Sequence, residues 1–92
     1  MHKLEKDIER RLKAKIESRG GLCLKFTPAE SGFPDRVLVL PGGRVVFVEL
    51  KRSKAERPRK LQEYQIKRLK DLGAEVYVVA GDDQLEAFLH GL

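Results

Sequence analysis

The sequence predicts an α/β fold with the order αβββαβα, a mixed four-stranded sheet flanked by helices. Three observations carry this: a four-residue apolar repeat near the start, two β-branched runs separated by Pro-Gly-Gly, and a helical stretch leading into a last β-branched run. Leu4 to Arg19 is an amphipathic helix, because Leu4, Ile8, Leu12 and Ile16 form one stripe. Gly20-Gly21 end it. Leu22 to Thr27 is short and apolar enough for a strand, and Pro28 to Pro34, with two prolines and a glycine, is a loop. Asp35 to Leu40 and Arg44 to Leu50 form a hairpin across Pro41-Gly42-Gly43. Both runs are apolar at odd and even positions, so both faces should be covered. Arg52 to Arg59 is a basic loop, followed by a helix to Leu72 with Leu61, Tyr64, Leu69 and Leu72 on its apolar side and Gly73 as its cap. Glu75 to Ala80 is a strand, and Asp82 or Asp83 caps a short helix ending near His90. A strand–helix–strand passage demands parallel pairing of the last two strands, while the first three form an antiparallel meander.

At 92 residues the chain is expected to be a single domain, 1–92, near the lower limit for one core. Hydrophobic residues at 41% and charged residues at 36% describe a globular chain with a densely ionised surface. No apolar run approaches the roughly 20 residues of a membrane span, so a membrane partner is not expected, and nothing resembles a signal peptide. Cys23 is the only cysteine, which excludes an internal disulfide and a multi-cysteine zinc site. It reads as a buried thiol in a reducing, cytoplasmic setting. A net charge of +5 favours a polyanionic partner.

The chemistry concentrates in Gly32-Phe33-Pro34-Asp35-Arg36 and, fourteen residues beyond Asp35, in Glu49-Leu50-Lys51. If Pro41–Gly43 is a three-residue turn, Leu40 faces Arg44, Val39 faces Val45, Val37 faces Phe47, and Asp35 faces Glu49. Lys51 shares that face. Two carboxylates then lie roughly 5 Å apart at Cβ with an ammonium beside them. A two-residue turn would throw them onto opposite faces. Two facing carboxylates repel unless neutralised, and magnesium binds through one or two carboxylates with water and phosphate. Lys51 would orient or deprotonate the attacking water, or offset charge on a phosphate. Taken alone, Glu49-Leu50-Lys51 is an ordinary ion pair at a strand exit. The register and the basic run beyond it, Arg52, Lys54, Arg57, Arg59 and Lys60, favour a site beside a DNA-backbone track. Lys25 and Arg36 are further candidates for phosphate contacts. Tyr64 and Tyr77 read as core residues. Gln65, on the apolar stripe of the second helix, needs hydrogen-bond partners there.

Gly-Phe-Pro-Asp-Arg, then Val-Glu-Leu-Lys, then Gln65 resembles the virus-type replication-repair nuclease (VRR-NUC) domain of the restriction-endonuclease-like PD-(D/E)XK superfamily. The resemblance runs from Glu5 through Val-Tyr-Val-Val. It implies a restriction-endonuclease-like core, Asp35 and Glu49 as ligands of Mg2+ or Mn2+ with help from the Leu50 carbonyl, and Lys51 as the catalytic lysine. It implies an acidic ligand on the first helix, either Glu5 or Glu9, with Glu5 the better match. It gives Gln65 a partner in the lysine, a carboxylate or a phosphate; an amide satisfied by backbone is the alternative. The activity implied is metal-dependent DNA endonuclease, by water attack with inversion and no covalent intermediate. Resemblance to stand-alone phage-type domains and to Holliday-junction resolvases implies a phage or prophage source and a homodimer on branched DNA, four-way junctions above flaps. The alternatives are a non-catalytic nucleic-acid-binding module, a flap nuclease subunit that needs a partner, and a structural subunit of a larger assembly.

Overall fold

A computed structural model describes residues 5–53, 55–56 and 58–92, Glu5 by its backbone alone. The expected Lys54 and Arg57 contacts and the Glu5 side chain therefore lie outside the described residues. Helix α1 (Glu5–Ser18) buries Ile8, Leu12 and Ile16, as the four-residue repeat requires. Strands β1 (Leu22–Lys25), β2 (Arg36–Leu40) and β3 (Arg44–Lys51) form the antiparallel meander, and β4 (Glu75–Ala80) runs parallel to β3. Sheet order follows chain order, β1-β2-β3-β4. Helix α2 (Lys60–Asp71) makes the crossover, and α3 (Gly81–Gly91) closes the chain. Among the described residues no helix is long and apolar enough to cross a membrane.

The hairpin closes through a three-residue turn. Gly42 and Gly43 both take positive φ, 86° and 82°, which lets the chain reverse without a bulge. Leu40 faces Arg44, Val37 faces Phe47 and Arg36 faces Val48, the register the three-residue turn predicts. The even-numbered positions Leu38, Leu40, Val46, Val48 and Leu50 enter one core with Ile8, Leu12, Ile16, Leu85 and Leu89. That core lies between the sheet and the layer of α1 and α3.

The opposite face differs from the sequence expectation. Leu22, Leu24 and Val45 are about half exposed there, so the sheet is covered fully on one face and partly on the other. Geometry explains this. A single helix about 10 Å across spans about two strands spaced at about 4.8 Å, and α2 lies toward β4.

Helix α2 is also rotated from the face its leucines suggest. Leu61, Tyr64 and Leu72 are 49%, 58% and 86% exposed, while Gln65 and Ile66 are buried. Its inward stripe is Gln62, Gln65, Ile66 and Leu69, half of it polar. Tyr64 instead lies outside beneath the Arg68 guanidinium, and Tyr77 is partly exposed against Phe88. Strand β1 stops at Lys25 rather than Thr27, although the Phe26 amide still donates to the Asp35 carbonyl. Neither Asp82 nor Asp83 caps α3: Gln84 accepts from the Ala80 amide, and Asp82 pairs with Arg11.

The rotation of α2 sets two substitutions apart. Ile66→Ala should cost about 2–4 kcal/mol in urea unfolding, and Leu72→Ala no more than about 0.5 kcal/mol. Equal losses would return α2 to its leucine face.

Candidate active site

The site lies where β2 begins and β3 ends. Asp35 immediately precedes β2, and Glu49 and Lys51 occupy alternate positions of β3, so all three side chains are delivered to the face under α2. The Asp35 amide donates to Glu49 Oε1 at 3.2 Å, and the Leu50 amide donates to Asp35 Oδ1 at 3.1 Å. These two bonds extend the hairpin ladder through side chains. Glu49 is 5% exposed and has Lys51 Nζ at 3.1 Å from its Oε2.

The first turn of α2 completes the cluster. Gln62 Nε2 donates to Glu49 Oε2 at 2.9 Å, and its Oε1 accepts from Lys51 Nζ at 3.2 Å. The same Oε1 accepts from the Arg59 amide at 3.2 Å, which ties the helix start to the site. A glutamine at the third position of a helix commonly reaches back this way, and that is the signal by which Gln62 was legible. The sequence points instead to Gln65. Its amide donates to the Ser31 carbonyl and to Glu30, and it accepts from Arg68. Gln65 thus fastens the loop that leads to Asp35 onto α2, and its bonds are to the loop and Arg68. The fit is close: a Cβ on Gly32, whose φ is +92°, would stand 2.7 Å from Leu61 Cγ and 3.1 Å from Gln65 Cγ.

Arg36, one residue beyond Asp35, points to the other face. It is buried, pairs with Glu9 of α1, and sends Nη1 to the Asp35 carbonyl at 2.8 Å and to Asp35 Oδ2 at 3.3 Å. Its charge is therefore used inside the protein rather than presented to phosphate. Glu9 is held in the same way, through Arg36. Lys25, Arg59 and Lys60 are exposed, and Arg52 binds Glu56 at 2.7 Å. Among the described residues no three acidic, histidine or cysteine side chains converge.

Burial pushes the Asp35 carboxyl up to about 6; the Glu49 charge adds to this, while the Leu50 amide and Arg36 oppose it. Two carboxylates at a strand end, one of them short of compensating charge, make a donor set that suits a hard dication completed by water. The oxygen-only chemistry and the two carboxylates fit magnesium or manganese.

The chain matches no family model. It is 38% identical over 80 residues to "Putative nuclease p44" of Acyrthosiphon pisum secondary endosymbiont phage 1, across 86% of this chain and 85% of that protein. A solved structure described as "VRR_NUC domain" superposes with a TM-score of 0.89 at 31% identity, covering 94% of each chain. The chain belongs to the VRR-NUC family. Its three helices and mixed sheet are the restriction-endonuclease-like α/β fold of that family. In this VRR-NUC chain the glutamine on the lysine is Gln62, with Gln65 one turn behind it.

The two glutamines should separate by experiment. Gln62→Ala should lower nuclease activity by roughly 10-fold or more, and should also cost about 1–2 kcal/mol because buried Glu49 and the Arg59 amide each lose a partner. Gln65→Ala, which removes the buried amide that fastens Glu30 and Ser31 to α2, should cost about 1–3 kcal/mol of stability.

Asp35 also makes stability depend on pH. Its folded pKa exceeds the ordinary value of 3.8, so the folded protein holds the proton more tightly than the unfolded chain does. Stability from this group is complete below about pH 4 and is lost as pH rises through about 6. Asp35→Asn should therefore stabilise the metal-free protein at pH 8 by on the order of 1–2 kcal/mol, and hardly at all at pH 4. Urea midpoints at the two pH values check this, and a less stable variant at pH 8 would refute it.

Proposed function

We propose that this chain is a metal-dependent nuclease that hydrolyses phosphodiester bonds in DNA. The observation that carries the reading is the joined cluster of Asp35, Glu49, Lys51 and Gln62 at the end of β3. Asp35 and Glu49 would hold Mg2+ or Mn2+, with the Leu50 carbonyl beside them. Glu5 is kept as the ligand from α1, because Glu9 one turn later is taken by Arg36. When bound, the ion supplies an activated water and compensates charge on the phosphate.

The protein's own groups do the rest. Lys51, held by Glu49 and Gln62, directs a cation at the phosphate oxygens or orients the attacking water. Gln62 keeps Lys51 and Glu49 in register with each other. Arg36 fixes Asp35 from behind through its carbonyl and its carboxylate. Water attacks in line, the configuration at phosphorus inverts, and no covalent enzyme intermediate forms.

The substrate is branched DNA, four-way junctions foremost, and the working form a homodimer that places one site on each of two strands. The exposed lysines and arginines around the site suit phosphates rather than base edges, which favours recognition by backbone and shape. A two-fold dimer suits a two-fold junction.

Cleavage of labelled four-way junction, flap and linear duplex with magnesium or manganese tests the whole reading. Wild type should nick near the branch point only when metal is present, and Asp35→Asn and Lys51→Ala should each lose roughly 10²-fold or more. Tight, salt-sensitive binding with no cleavage would make the chain a recognition module instead.

A further inference from the structure

A second basic surface lies on the other side of the site. Lys6, Arg10 and Lys13 recur at four and three residues along α1, so they form one stripe with steps of about 5 Å. Lys25 ends β1 directly opposite Arg36 in the ladder, so its side chain points to the same face as Arg36, toward α1. These four cations line a groove of about 510 Å³ between α1 and the free edge of β1. All four are exposed.

Glu9 is the one acidic residue in the lining, and Arg36 neutralises it. Arg10 stands 3.8 Å from Asp7, both of them open to solvent, where such a pair is weak. Among the described residues no ion pair takes up Lys6, Lys13 or Lys25. The positive charge of the groove is therefore available to a ligand. Its inner wall is Arg36, whose other contacts are with Asp35, so a single buried arginine separates the groove from the site. Arg59 and Lys60, at the start of α2, stand on the opposite flank.

We infer that this α1/β1 groove binds the sugar–phosphate backbone of the strand being cut, on the side of the scissile phosphate away from Arg59 and Lys60. A stripe of like charges at regular steps suits a polyanion, whose charges repeat along one backbone. The strand then crosses the end of the sheet from α1 over Asp35 and Glu49 to the first turn of α2. The direction of that path rests on the nuclease reading; the binding of a phosphate backbone in the groove does not.

The experiment is fluorescence anisotropy with a labelled four-way junction, in EDTA, across a range of salt. The triple variant Lys6→Gln, Arg10→Gln, Lys13→Gln should lower the slope of log affinity against log salt by about 2 to 3, with roughly 10-fold or more lost at about 0.1 M salt. A charge-matched triple on other surfaces, Lys15→Gln, Lys67→Gln, Lys70→Gln, should leave the slope near that of wild type. An unchanged slope in the first triple, or an equal loss in the second, overturns the inference. A groove-dependent slope in a protein that never cuts keeps the groove and rejects the nuclease. Cleavage and binding untouched by the first triple reject the groove and keep the nuclease.

Discussion

The turn at Pro41–Gly43 fixes which residues of β2 and β3 face each other, and that register carries the rest of the structure. Side chains alternate along a strand, so a slip of one residue would exchange the two faces. Leu38, Leu40, Val46, Val48 and Leu50 would then leave the core. Burial of such side chains contributes about 1.5–3 kcal/mol each, and five of them exceed or match the whole stability of a small domain. A slipped hairpin is thus an unfolded protein. The same constraint that fills the core holds Asp35 against Glu49, so the site's geometry is maintained by the burial of its neighbours on the other face.

Charge is distributed less evenly than shape. Each carboxylate has one cation, Arg36 for Asp35 and Lys51 for Glu49. Glu49 also takes the Asp35 amide and Gln62, whereas Asp35 must share Arg36 with Glu9. The result is a carboxyl that burial can push up to about 6. An arrangement built only for stability would replace it with an uncharged group. Keeping it is what leaves negative charge in excess at the strand end, and it is the reason the donor set suits a dication.

The chain order, the sheet pairing and the register were legible in the sequence because local signals agree: a four-residue repeat, Pro-Gly-Gly, and β-branched runs. The face of α2 was hidden by an inward stripe that is half glutamine, which no hydrophobic pattern reveals. Gln62 carried a different signal, its third-position place in the helix, which apolar patterning does not weigh, and Gln65 was noticed because an amide among leucines is conspicuous. Arg36 was read as a phosphate contact on charge alone. Its place beside Asp35 in a strand already implied the opposite face, where α1 and Glu9 wait for it. Partial cover of the second face was missed because apolar alternation reports which residues prefer burial, not how many helices are present to bury them.

Convergence at one end of the sheet explains how so short a chain supports a many-sided site. Strand β2 starts there, β3 and β4 end there, and α2 begins there with Gln62 bonded to Glu49. Helix α1 arrives at the same end from the other face, with Glu9 on Arg36. Helix starts carry partial positive charge, so the start of α2, tied to Glu49 through Gln62, favours an anion beside the site. Lysines and arginines flank that end on both sides, Lys6, Arg10, Lys13 and Lys25 along α1 and β1, Arg59 and Lys60 at α2. The acidic pair is therefore enclosed by a positive rim. A polyanion is drawn toward the rim, while the two carboxylates at its centre oppose the phosphate until a cation joins them. On the metal-dependent reading proposed above, attraction at the margin and conditional repulsion at the middle would make the metal the gate on contact between phosphate and site, with no moving part.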